Sequence, residues 1–265
     1  MSEFGNLMIG IWHGEKPKDS IEDLRNKVIN SSDERELILN LTEILKLGDF
    51  SVKNALIQLM NNTKDEATLN LCIRVFCSVA THDDIRNVNN LKFLGNIPYD
   101  ALRTFITCST ETLSYEVVPY LLAILEEWND VEEVVVAVKD ALDLIVGYEN
   151  ILGENASIDD IGEYYLNHIK NLDAKKYYYE KNLAFPGDLS KMLIERAMVS
   201  MNKREMLKMA VIPTLLSIWS GNKCPVEYDT IISDDSYRNI ISYVKVLSDM
   251  DWKKGEKYFY GYNVE

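Results

Sequence analysis

Apolar residues recur every three to four positions along most of this 265-residue chain. In Glu116–Gly147, EVVPYLLAILEEWNDVEEVVVAVKDALDLIVG, the residues Val118, Leu121, Leu122, Leu125 and Trp128 make one stripe. Val134, Val138, Ala141, Leu142 and Ile145 make a second. The valine run has the composition of a strand, but two-residue alternation fails and the 3.6-residue period persists. The stretch therefore predicts two amphipathic helices joined by a tight turn.

The same period predicts helices over Asp33–Leu47, stopped by Gly48, over 51–62 with Ser51 as cap, and from Asp65 to Ala80. Further helices are expected at Pro98–Ser109, Ile158–Asn171, Asp188–Met201 with Asp188 as N-cap, Glu205–Trp219 and Asp234–Leu247. Short linkers between successive helices predict an all-α fold, either a bundle or a solenoid. The ends break the pattern. NLMIGIWHG near the start and KYFYGYNVE at the finish are aromatic, contain glycine and lack helical period. Residues 1–19 and 251–265 are expected as non-helical arms of a single domain, 1–265, either pairing as a short terminal β-ribbon or packing over the outer helices.

Self-similarity favours the solenoid. VPYLLAIL (Val118–Leu125) is echoed by IPTLLSIW (Ile212–Trp219), each with proline at the second position followed by Leu-Leu two residues later. NALIQLM (Asn54–Met60) is a fainter echo without proline. These residues resemble HEAT-like repeats, in which a proline-bent first helix packs on a second and neighbouring pairs stack. The resemblance implies an α-solenoid of stacked antiparallel helix pairs, each burying its apolar face on the next.

Composition supports helices and narrows the function. Twelve glycines and six prolines make about 7 % of the chain, against a usual ~12 %, so few tight turns are available. No run approaches the ~20 apolar residues of a membrane span. The start lacks a basic region and an adequate apolar core for a secretory signal, so a cytoplasmic protein is expected. The four cysteines, Cys72, Cys77, Cys108 and Cys224, show no CxxC spacing and read as reduced, small apolar residues. Twenty-eight Lys and Arg against 42 Asp and Glu give a net charge of −14. That field disfavours nucleic acid and anionic membranes and favours a basic protein partner.

Catalytic and metal-binding patterns are missing. The three histidines, His13, His82 and His168, have no ligand spacing, and THDD around His82 reads as a helix start with Asp83 and Asp84 in the first turn. No phosphate-cradling glycine loop and no nucleophile elbow is present. Adjacent acidic pairs such as Glu126–Glu127 and Glu132–Glu133 cannot face one pocket from a helix. The expectation is no catalytic residue, no cofactor and no metal. A DNA glycosylase of HEAT-like architecture would need a basic groove, and the densest basic spots, KREMLK and DWKKGEK, are interrupted by acid.

Two segments suit a protein interface. EEWNDVEE places Glu126, Glu127, Trp128, Asp130, Glu132 and Glu133 on an exposed turn. KKYYYEKNLAFPGDLS, read as a loop, carries Tyr177, Tyr178, Tyr179 and Phe185, and three consecutive rings cannot all face a core, so one is expected in solvent. IWHGEKPKDSIEDL, FPGDLSKMLI and KGEKYFYGYNV, together with the helical middle, resemble immunity proteins of bacterial polymorphic toxin systems, particularly the group called immunity protein 47. The resemblance implies a partner that is a toxin domain, often a basic nuclease, held inactive inside the producing cell. A HEAT-like adaptor with an unrelated partner is the alternative.

Overall fold

The computed structural model describes residues 16–264, so the start motif NLMIGIWHG lies outside the described residues. The described chain is all-α apart from two short hairpins, and it divides into two compact units. One comprises residues up to Asn26, Thr42–Phe50 and Ala184–Val264; the other comprises Lys27–Leu41 and Ser51–Leu183.

The helices run α1 Ile21–Asn30, α2 Glu34–Lys46, α3 Lys53–Asn62, α4 Glu66–Val79, α5 His82–Arg86, α6 Tyr99–Ser109, α7 Val118–Glu127 and α8 Glu132–Val146. They continue with α9 Glu149–Leu152, α10 Ile158–Ile169, α11 Pro186–Lys203, α12 Val211–Ser220 and α13 Asp234–Ser248. The hairpins are β1 Tyr178–Tyr179 with β2 Asn182–Leu183, and β3 Tyr258–Phe259 with β4 Tyr262–Asn263.

In the Ser51–Leu183 unit, α3 packs on α4, α4 on α6, α6 on α8, α8 on α7 and α7 on α10. α4 is the centre, because its sequence is apolar nearly all round. Leu69, Leu71, Cys72, Ile73, Val75, Phe76, Cys77 and Val79 are all buried. A helix without a polar face has to be covered on opposite sides, here by α3 and α6. Asp65 caps it, accepting from the Thr68 N–H at 2.7 Å. The THDD expectation also holds: Thr81 and Asp84 close a capping box over α5, with His82 and Asp83 inside the first turn.

In the Ala184–Val264 unit, α11 packs on α12 and α13, and β3 lies against α12. The ending pairs with itself in the β3–β4 hairpin. The Tyr260 and Gly261 N–H groups donate to the last carbonyls of α12, Ile218 at 2.9 Å and Trp219 at 2.6 Å. This end of α12 needs its glycine. Gly221 has φ +71°, and a Cβ there would sit 2.6 Å from the Tyr260 ring.

Several local expectations are corrected. Both echo prolines sit in the first turn of their helices, Pro119 in α7 and Pro213 in α12. First-turn positions have no intrahelical acceptor for an N–H, so proline is tolerated there without the loss of a helix hydrogen bond. Ser51 does not cap α3, because the chain enters through a short 3₁₀ turn, Phe50–Val52, already in helical geometry. α11 begins at Pro186 with Phe185 as its N-cap, which places Asp188 in the first turn. The expected helix from Glu205 begins only at Val211. Residues 205–208 pair instead with 228–232, through Leu207 N–H to Thr230 carbonyl at 2.9 Å and a bridge between Met206 and Ile231.

All four cysteines are free and buried. Burial raises the thiols of Cys72 and Cys108, and pushes Cys224 up to about 11.

Candidate functional site

The acidic segment is where the chain reverses between α7 and α8. Glu126, Glu127, Asp130, Glu132 and Glu133 are exposed, and Trp128 is half-buried. From residue 104 to 138 the chain contains no Lys, Arg or His. Among the described residues none of these five carboxylates forms an ion pair. The turn therefore concentrates negative charge and is not half of an internal salt-bridge network.

α6 completes this patch with residues that the sequence pattern does not single out. Tyr99 donates its hydroxyl to Glu133 Oε2 at 2.8 Å, which raises the phenol pKa. The Tyr99 ring lies 6.2 Å from Trp128, and the Arg103 guanidinium stands 6.0 Å over the Tyr99 ring. Two aromatic rings thus sit at the root of the carboxylates. Their signal is the packing of α6 against α8, a contact between distant parts of the chain that no local pattern announces.

The tyrosine triplet is placed otherwise than expected. Tyr177 is only 6 % exposed and stacks on His82 with centroids 4.2 Å apart. Tyr178 and Tyr179 are half-buried, so no ring of the three stands free in solvent. The segment read as a loop turns back as the β1–β2 hairpin, whose turn residues Glu180 and Lys181 have φ +45° and +68°. The Tyr178 N–H donates to the Leu113 carbonyl at 3.2 Å, and its hydroxyl accepts from the Asp173 N–H at 3.0 Å. Burial pushes the hydroxyl pKa values of Tyr177 and Tyr179 up. These rings act as packing between the hairpin and the helices beneath it.

Under the hairpin lies a ring cluster built on His168 of α10. Its Nε2 faces the Tyr115 hydroxyl at 3.1 Å, and Tyr164 stacks on it at 6.1 Å. Lys181 donates to the Tyr164 hydroxyl at 3.0 Å. Burial, then the Lys181 ammonium, lowers the His168 pKa below its usual 6.5. The unfolded chain therefore takes up this proton first as pH falls through about 6.5, and stability is lost across that window. Replacing His168 with Gln should flatten the acid side of the pH–stability curve between about pH 7 and 5, measured by urea denaturation. An unchanged slope would show that the ring is solvated in both states.

Phe185 belongs to the other unit. It is half-buried, with the Lys254 ammonium 5.1 Å over its ring. Lys254 also pairs with Asp188 at 3.1 Å, and the Gly255 N–H donates to the Ala184 carbonyl at 2.8 Å. FPGDLSKMLI and KGEKYFYGYNV, far apart in sequence, are thus neighbours in space.

Among the described residues no group of His, Cys, Asp or Glu is placed to hold a metal ion, and no helix is long and apolar enough to cross a membrane. No curated protein and no solved structure matches the chain significantly. A family model does match, described as Immunity protein 47 and covering residues 7–264, so the chain belongs to that family of immunity proteins.

Proposed function

We propose that this protein binds a cognate toxin domain and occludes it by protein–protein contact, with no chemistry of its own. The family gives the class of role; the acidic turn between α7 and α8 carries the mechanistic reading. Five carboxylates without ion pairs, around the Tyr99–Trp128 pair, suit capture of a basic surface. Long-range attraction accelerates encounter, and a few desolvated rings slow release. The net charge of −14 adds a field of the same sign. In this reading the tyrosine triplet supports the fold, with the half-buried Tyr178 and Tyr179 as the members able to touch a partner.

The test is co-purification with a catalytically silenced product of the adjacent gene, where an immunity gene's toxin is expected. A stoichiometric complex stable through gel filtration is the expected result. Failure of the two proteins to associate at micromolar concentration would remove the toxin reading and leave the adaptor reading in its place.

A further inference from the structure

The Ala184–Val264 unit contains a groove of about 650 Å³ between α11 and the end of α13, away from the acidic turn in sequence and in its own unit. Phe185, Ile194, Val244, Leu247 and Trp252 make its apolar walls. A groove of this size and lining accommodates one or two large side chains.

Its walls are fixed before anything enters. Trp252 donates its indole N–H to the Leu247 carbonyl at 2.8 Å and stands edge-on to Tyr258 at 4.7 Å. Tyr258 in turn meets the buried Trp219 and accepts from the Lys253 N–H at 2.8 Å. On the opposite wall, a Cβ at Gly187 would lie 2.5 Å from the Phe185 ring, so only glycine lets that ring fold back over the helix start. Walls held in place spare a ligand the entropy of ordering them.

Two polar features point to what the groove takes. Ser190 lines it at 4 % exposure, and its buried Oγ has no hydrogen-bond partner. A hydroxyl left unmet beside an apolar cleft is completed by a ligand that brings a donor or acceptor. The charges at the mouth are Lys191, Glu195 and Asp251, with the Lys254–Asp188 pair beside Phe185. Lys191 is matched by Glu195 at 3.8 Å and Lys254 by Asp188 at 3.1 Å. Among the described residues Asp251 has no ion pair, so one negative charge is left over.

We propose that this groove is a second docking site for the protein partner, receiving a segment in which a large apolar side chain adjoins a Lys or Arg. The apolar side chain fills the space between Phe185 and Trp252, a polar group of the segment meets Ser190, and the cation meets Asp251. The inference rests on the reading that the partner is a protein, but not on the acidic turn being its landing surface. Phe185, singled out in the sequence as an interface residue, acts here as a wall of the groove.

The experiment uses the full-length protein and the silenced product of the adjacent gene, titrated by calorimetry. Ser190→Leu fills the groove from its floor, and Asp251→Lys reverses the charge at its mouth. Each should weaken binding at least about tenfold while circular dichroism and melting temperature stay near the parent values. Should Ser190→Leu not fold, Asp251→Lys alone decides, because that side chain is exposed. Parent-like affinity in a folded Ser190→Leu or in Asp251→Lys overturns the proposal. If Glu126→Lys/Glu127→Lys weakens binding and the groove variants do not, the acidic-turn reading stands and the groove falls. If the parent protein itself does not bind, the toxin reading fails and takes the groove with it. A concentration-dependent dimer that Ser190→Leu abolishes would assign the groove to a second copy and overturn the assignment to a partner.

Discussion

Replacing Trp219 with Ala is expected to cost about 3–5 kcal/mol of stability, the range for deleting a buried large aromatic. Trp219 is 1 % exposed and closes α12. It meets Tyr258 edge-on at 6.1 Å, and its own carbonyl accepts the Gly261 N–H. The substitution removes the ring around which the ending folds and leaves a cavity beside Tyr258. Urea denaturation followed by circular dichroism measures the loss. Hydrogen exchange should also speed up at the Tyr260 and Gly261 amides, which donate to α12. Trp219→Phe retains much of the volume and should cost clearly less. A loss below about 1 kcal/mol for Trp219→Ala would show that the ending is not organised by this ring.

The helices were legible because each carries its own periodic stripe. α4, α7 and α8 could be drawn from spacing alone, and the valines of α8 did not deceive, since their period was 3.6 and their stripe faced the core. The caps of α4 and α5 were equally local. The hairpins were not legible. Their two-residue turns both have positive φ, a geometry usually announced by Asn-Gly or Asp-Gly. Here the turns are Glu180-Lys181 and Tyr260-Gly261. Only the latter contains glycine, and Lys181 is held by its bond to Tyr164, which no sequence window includes. The helix drawn from Glu205 failed for a related reason. KREMLKMA has good helical propensity, but Arg204 and Lys208 adopt left-handed geometry and the backbone between them pairs with 228–232. Tertiary pairing overrode local preference.

Of the interface candidates, the acidic residues were found from charge density, which exposure at a turn preserves. The tyrosines were harder. Three consecutive rings were expected to leave one in solvent, yet a strand turned by a hairpin can be covered on both faces. Tyr177 enters the core beside His82 while Tyr178 meets Tyr115 at 5.7 Å. Tyr99 has no local signal in the sequence, because its significance lies wholly in its partners, Glu133 and Trp128.

The acidic turn makes the sharpest functional prediction. In Glu126→Lys/Glu127→Lys, two solvated side chains without ion pairs are reversed, so stability should change by no more than about 0.5 kcal/mol. Association with the silenced toxin should slow by roughly 10-fold at low salt, because steering by a patch of one sign raises on-rates by about 10- to 1,000-fold. Dissociation should change far less, since exposed carboxylates bury little area on contact. Near 1 M salt, where the screening length is about 3 Å, the association rates of parent and variant should converge. Stopped-flow or biolayer measurements across a salt series separate these outcomes. A uniform rise in the dissociation rate, with association untouched, would place the carboxylates in direct close contact with the partner. Identical kinetics for parent and variant at every salt concentration would move the landing surface elsewhere on the molecule. Trp128→Ala provides the complementary measurement. Its ring is half-buried against Tyr99, so it should act on dissociation and leave the salt dependence of association intact.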